Sequence, residues 1–200
     1  MSLTADGKTS SDRTYAKGET TAYHEAGHAV LFVHFKRPFR SVTIVSEGDS
    51  LGHVAGLRFG KRFRPDLEVS PQVGATLDRI LLILMAGNSA ERRLTGRRNN
   101  RKAGGDFEMA VGLGGHVYPE PEVLGSYLDF VIARSDSLIG SPVIWAQVEA
   151  VAAELLLHRS LSSERVRDIC TATIEEGTRV AQLMDEEMAT ELAALRSQRG

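Results

Sequence analysis

An α+β fold dominated by helix is what this sequence predicts, and three observations predict it. Apolar residues recur at helical spacing through most of the chain, two short alternating segments sit together near its start, and no further strand signal follows them. The 200 residues suit one domain with a sizeable core, and 42% apolar with 25% charged residues is a globular composition.

The elements follow in order. Residues 1–10 are polar and are expected to be a disordered segment. From about Ser11 or Asp12, Ala22, Ala26, Ala29, Val30 and Val33 recur at helical spacing, and the helix should close at Phe35, before Pro38. Ser41–Ser46 and Gly52–Phe59 read as strands connected through the turn-like Gly48-Asp49-Ser50. Ser70 as cap and Pro71 in the first turn then open a helix that Gly96 should stop. Arg97 to Gly105 is a basic, glycine-bearing loop, and the rest reads as helices over about 106–117, 122–138, 142–158, 162–175 and 177–197.

Charge and cysteine content exclude several classes. A formal charge of -2 gives the whole molecule no electrostatic bias toward nucleic acid or anionic membrane. Cys170 stands alone, so neither an internal disulfide nor a cysteine-rich zinc knuckle can form, which fits a reducing compartment. The longest apolar run, Ile80–Ala86, is far shorter than the roughly 20 residues a bilayer span needs. With no signal-peptide core before Lys17, the simplest expectation is a cytoplasmic chain with no membrane span.

Inside the first helix, Thr21–Val30 reads TAYHEAGHAV and contains H-E-x-x-H. Four helical positions bring His24 and His28 to nearly the same face one turn apart, where two imidazoles can reach one zinc ion. Glu25 stands on the same rim as a general base for a water in an open coordination position, which is the chemistry of metal-assisted amide hydrolysis. Gly27 is expected to leave room beside the metal. A catalytic zinc takes a third protein ligand. Two acids compete for that role: Glu91 on the following helix, in AGNSAERRLTG, and Asp106 beside Gly104 and Gly105, in KAGGDFEMAV. Spacing alone leaves both open, since Glu91 can pair with a neighbouring arginine and Asp106 can cap a helix.

Taken together, TAYHEAGHAV, SVTIV followed by LGHVAGL, LMAGNSAERRLTG and GGDFEMAV resemble, in order and spacing, the peptidase domain of the FtsH family of zinc metalloproteases. The likeness runs from about Asp12 to Leu113 and continues more weakly through VEAVAAELLLHRSLSSERVRDI. It implies a zincin-like H-E-x-x-H helix with a small β-sheet, followed by a helical bundle. Residues 11–118 would be the zinc-binding peptidase core and 119–200 the helical C-terminal part of the same domain. In the family, zinc is held by both histidines of HEAGH and an aspartate in a T-G/S-A-x-N-D-L segment. Here that segment reads AGGD, without the usual threonine and asparagine, and the resemblance maps the aspartate onto Asp106. Family members carry transmembrane segments and an AAA ATPase module before this domain. This sequence holds no G-x-x-x-x-G-K-[ST] loop, so the expectation is a stand-alone peptidase domain acting on unfolded polypeptides or peptides. Homo-oligomerisation and an ATPase partner acting in trans are left open.

Weaker signals remain. Arg92, Arg93, Arg97, Arg98, Arg101 and Lys102 read as a solvated basic loop, because no aromatic residues interleave for base stacking. The strand at Gly52–Phe59 is either an ordinary paired strand or an edge beside the zinc to which a peptide adds. His34, His53, His116 and His158 have no partner spacing, although His53 or His116 is placed to assist the site or to close its fourth position. Closure would make the chain a metal-stabilised structural protein. Loss of hydrolysis would make it a silent peptide-binding or adaptor module, against which the base at Glu25 argues.

Overall fold

Helix α1 (Lys17–His34) ends where the sequence says it must. Lys36 takes a left-handed φ of 52°, the Arg37 amide bonds back to the Phe32 carbonyl, and Pro38 forbids another turn. The computed structural model describes residues 17–45, 53–55, 63–67, 70–96 and 104–197. The segment 1–10, the start of the first helix before Lys17, the Gly48-Asp49-Ser50 turn and Arg97–Lys102 lie outside those residues. After α1 come β1 (Ser41–Thr43), β2 (His53–Ala55), α2 (Pro71–Thr95), α3 (Gly105–Gly115), α4 (Pro121–Gly140), α5 (Pro142–His158), β3 (Ser160–Ser162) and α6 (Ser163–Ser197). The fold is α+β and mostly helical, as predicted.

The caps of α2 are those read from the sequence. The Ser70 hydroxyl accepts from the Val73 amide, and Gly96 closes the helix at φ 67°. Between them α2 is apolar on almost every side because two cores share it. Ile83, Ala86 and Ala90 face α1 and α5, while Leu77, Ile80, Leu81, Leu84 and Met85 face α3 and α4. Its mean hydropathy reaches 1.2 over 18 residues, so by length and composition it qualifies as a membrane-crossing helix. The run Ile80–Ala86 understates it, and the expectation of no candidate span is corrected to that extent. Most of that window, 67%, is buried inside the protein.

Helices α1 and α2 approach closely. A Cβ on Gly27 would lie 2.6 Å from the Ala86 carbonyl oxygen and 2.9 Å from the Ala90 Cβ. Gly27 therefore serves helix packing, and its expected place beside the metal is corrected.

The sheet has the order β2-β1-β3, with both pairings antiparallel: Val42 lies opposite Val54 on one side and Leu161 on the other. Strands β1 and β2 fall inside the two segments read from the sequence as strands, of which Ser46, Gly52 and residues 56–59 lie outside the described residues, and β3 is an addition. Ser160–Ser162 is too short to show alternation, and the sequence reading counts part of it as helix. Its pairing with β1 follows from the left-handed turn at Arg159 (φ 64°), which closes α5 and sends the chain back along β1. The helices expected over 162–175 and 177–197 are one, α6, which runs straight through Gly177. An exposed helical glycine costs about 1 kcal/mol relative to alanine and does not break the helix.

Two of the basic-loop residues are structural. Arg92 pairs with Asp136 of α4, whose carboxylate also accepts from the Ser89 hydroxyl at 2.7 Å. Arg93 donates to the Ile139 carbonyl and stacks 4.6 Å over Trp145. The remainder of that stretch lies outside the described residues.

Candidate metal centre

His24 and His28 project from α1 toward α2, one turn apart, with ring centroids 4.8 Å from each other. They fit there because Gly87 of α2 has no side chain. A Cβ at that position would lie 2.4 Å from His28 Nε2 and 2.6 Å from His24 Nε2. Gly87, not Gly27, is the residue that makes room for the imidazoles. Its sequence signal was a glycine in the middle of an otherwise apolar helix, which points to a close approach.

Asp106 arrives from α3. Gly104 precedes it as N-cap with φ 95°, a conformation side-chain-bearing residues rarely adopt, so the chain turns sharply into the helix. Asp106 is not itself the cap. Its Oδ2 lies 3.2 Å from His24 Nε2 and 3.2 Å from His28 Nε2, and the two Nε2 atoms are 3.1 Å apart. Glu91 sits on the other side of His24, with Oε2 3.6 Å from Nδ1. The two competing acids thus take different places: Asp106 joins the Nε2 cluster, and Glu91 backs the first histidine.

The donor set fits a zinc ion. Bonds of about 2.0–2.1 Å in tetrahedral directions set donors about 3.3 Å apart. The edges of 3.1, 3.2 and 3.2 Å are close to that value, and three protein donors leave one position for water or substrate. His28 Nδ1 donates to the Ile83 carbonyl at 2.7 Å, which leaves Nε2 as the nitrogen that would bind a metal once the ring gives up its second proton. Glu91 stands behind His24 at 3.6 Å from Nδ1, a longer, electrostatic contact on the side opposite the cluster.

Electrostatics tie the cluster together. Burial resists charge on both imidazoles, yet Asp106, with Glu91 for His24, outweighs it. His24 is pushed up to about 10, and His28 is raised in the same direction. Burial alone would raise Asp106, but the two histidines hold its carboxyl well below the usual carboxylate range.

Glu25 is 5% exposed and lines a cavity of about 210 Å³ together with His28 and Asp106. The rest of that wall is apolar, including Phe32, Val54, Ile80 and Met109. His116 is exposed at the end of α3 and His34 meets the Phe35 ring edge-on, both outside the His24-His28-Asp106 group. The side chain of His53 lies outside the described residues.

Fold and cluster together define a predominantly helical α+β protein with a His-His-Asp group able to hold a metal ion. No protein-family model matches the chain. Individual relatives do. It is 29% identical over 168 residues to the ATP-dependent zinc metalloprotease YME1L of Drosophila melanogaster, covering 82% of this chain and 22% of that protein. It is 30% identical over 156 residues to the ATP-dependent zinc metalloprotease FtsH of Magnetococcus marinus, covering 76% and 20% respectively. With the ATP-dependent zinc metalloprotease YME1 homolog of Caenorhabditis elegans the identity is 38% over 78 residues, covering 38% and 10%. The chain is thus a homologue of the FtsH-type zinc metalloproteases, as its motifs predict, and it spans about a fifth or less of the length of these relatives.

Proposed function

We propose that the chain is a zinc-dependent peptidase in which His24, His28 and Asp106 hold the metal and Glu25 is the general base. The observation that carries this reading is the triangle of donors at 3.1–3.2 Å with a buried carboxylate on the same cavity wall. Zinc bound there would lower the pKa of a water toward about 7 and polarise the scissile carbonyl. Glu25 accepts the proton of the attacking water and returns it to the departing amine nitrogen. Ile83 holds the His28 ring in orientation while this happens, and Glu91 stands behind His24.

Substrate placement follows from the neighbouring elements. Among the described residues β2 is an outer strand, and Val54 at its centre lines the same cavity as Glu25 and His28. An extended peptide pairing with β2 brings a carbonyl toward the metal cluster, and the apolar wall receives one side chain beside the cleaved bond. This geometry calls for extended backbone, which a folded domain yields only against about 5–15 kcal/mol. The substrates are therefore unfolded polypeptides or short peptides, and an ATPase acting with the chain extends the range to folded ones. Cytoplasmic placement is part of the same proposal, with Cys170 as a buried thiol.

Zinc content and cleavage of unfolded casein, measured on one preparation, test the reading. About one zinc per chain with hydrolysis that His28→Ala abolishes is expected. Casein cleavage that persists in a zinc-free His28→Ala variant would refute it.

A further inference from the structure

Two cavities adjoin at Val33, at the end of α1 beside α5 and α6. The first, of about 280 Å³, is lined by Phe32, Val33 and Phe39 together with three cations, Lys36, Arg37 and Arg167. The second, of about 370 Å³, has Val33, Val143, Ile144 and Ile174 in its lining. Val143 is 56% exposed and Ile174 48%, so this second hollow offers apolar surface to solvent.

The charge around these cavities has one sign. No acidic residue lines either of them. Among the described residues Lys36 and Arg37 have no ion pair, and Arg167 donates only to the Ser163 hydroxyl at 2.8 Å. Glu164 and Asp168 lie near Arg167 along α6, yet neither lines these cavities or bonds to the three cations. Cations after the last turn of α1 complement the helix dipole. That does not account for Arg167, which comes from another helix, or for the apolar cavity the three share. The whole chain carries a formal charge of -2, so the accumulation is local.

We infer that this face docks the substrate polypeptide: a stretch with one large apolar side chain and neighbouring carboxylates binds here while another part of the same unfolded chain reaches the metal centre. The inference rests on the peptidase reading above and narrows its substrates to acidic ones. The cations meet the carboxylates, and the hollow between Val143 and Ile174 takes the apolar side chain. A membrane surface fits less well, because it takes up side chains that protrude, whereas these cavities are concave. Phe32, one turn after His28, walls both the metal-centre cavity and the basic one, so a single side chain separates them. A segment held at the cations therefore raises the concentration of the rest of its chain at the metal to the order of millimolar. Binding of that kind lowers KM and leaves the chemical step as it was.

Two flexible peptides test this on the zinc-loaded whole chain. Both carry the same cleavable segment and a leucine, followed by a run of glutamates in one and of glutamines in the other. Binding is read by anisotropy on Glu25→Gln, and cleavage on the wild type. The acidic peptide is expected to bind at least about tenfold more tightly at low salt and to lose that advantage as salt rises. Its KM should be lower by the same factor at equal kcat. Lys36→Glu with Arg37→Glu should erase both preferences, and neither side chain makes a polar contact in the fold, so melting should match the wild type. Arg134→Glu with Arg179→Glu changes the net charge equally at exposed positions outside both cavities and should keep the preferences. If the acidic peptide binds preferentially through these cations but neither peptide is cleaved, the peptidase reading fails and the docking face stands. Equal affinity or equal KM for the two peptides, a preference that survives Lys36→Glu with Arg37→Glu, or tighter binding to phosphatidylserine vesicles than to the acidic peptide overturns the inference.

Discussion

Replacing Gly87 by alanine puts one methyl group where the two metal-directed nitrogens stand. The added Cβ would lie 2.4 Å from His28 Nε2, 2.6 Å from His24 Nε2 and 2.7 Å from His24 Cδ2, against normal contacts of about 3.5 Å. The rings must retreat by about 1 Å, half the length of a zinc–nitrogen bond of about 2.0–2.1 Å. They have little freedom to do so, because His28 is tethered to the Ile83 carbonyl at 2.7 Å and His24 is backed by Glu91 at 3.6 Å. Overpacking of this kind costs about 1–3 kcal/mol. Loss of a well-aimed donor should lower zinc affinity on the order of a hundredfold. Gly74 lies in the same helix with nothing within 4 Å of its would-be Cβ, so it supplies the control. Gly74→Ala should keep the zinc and gain about 0.5–1 kcal/mol from helix propensity. Zinc competition against a chromophoric chelator, with thermal melting of both variants, reads out each effect. Wild-type zinc affinity in Gly87→Ala would refute the placement of the imidazoles against α2.

Other substitutions separate the remaining roles. Asp106→Ala should cost more zinc affinity than Glu91→Ala, because one removes a donor and the other a longer, electrostatic contact, and chelator titration of both variants gives the ranking. Gly27→Ala drives a Cβ into the Ala86 carbonyl oxygen at 2.6 Å and should destabilise the α1–α2 contact by about 1–3 kcal/mol in a denaturant titration. Burial pushes the Cys170 thiol from 9.0 up to about 11. A pKa raised in the folded state contributes stability that is full below the ordinary value and is lost as pH rises through about 11. Melting temperature should therefore fall between pH 9.0 and about 11, and less steeply in Cys170→Ala. At neutral pH the native thiol should not react with disulfide reagents.

What the sequence made legible was local. The helix that carries His24 and His28, both caps of α2 and the start of α5 at Pro142 each follow from residues within one or two turns of the feature. What stayed hidden depends on contacts between distant residues. Strand β3 exists because Leu161 pairs opposite Val42, and three residues cannot announce that by themselves. The reading from sequence placed Gly27 beside the metal and did not single out Gly87, because only the packing of α1 on α2 decides which glycine faces a carbonyl and which faces a ring. Spacing also left Asp106 and Glu91 level, and the family resemblance alone favoured Asp106. The structure separates them by the nitrogen of His24 that each approaches.

The central claim is that Glu25 performs chemistry at this site and does not merely line it. The direct test is the rate of unfolded-casein cleavage by zinc-loaded Glu25→Gln relative to zinc-loaded wild type. The amide keeps the shape of the carboxylate but cannot accept the proton of water. The account predicts unchanged zinc content and a rate lower by about a hundredfold or more. A variant that cleaves at the wild-type rate, or a zinc-loaded wild type that cleaves nothing, would contradict it.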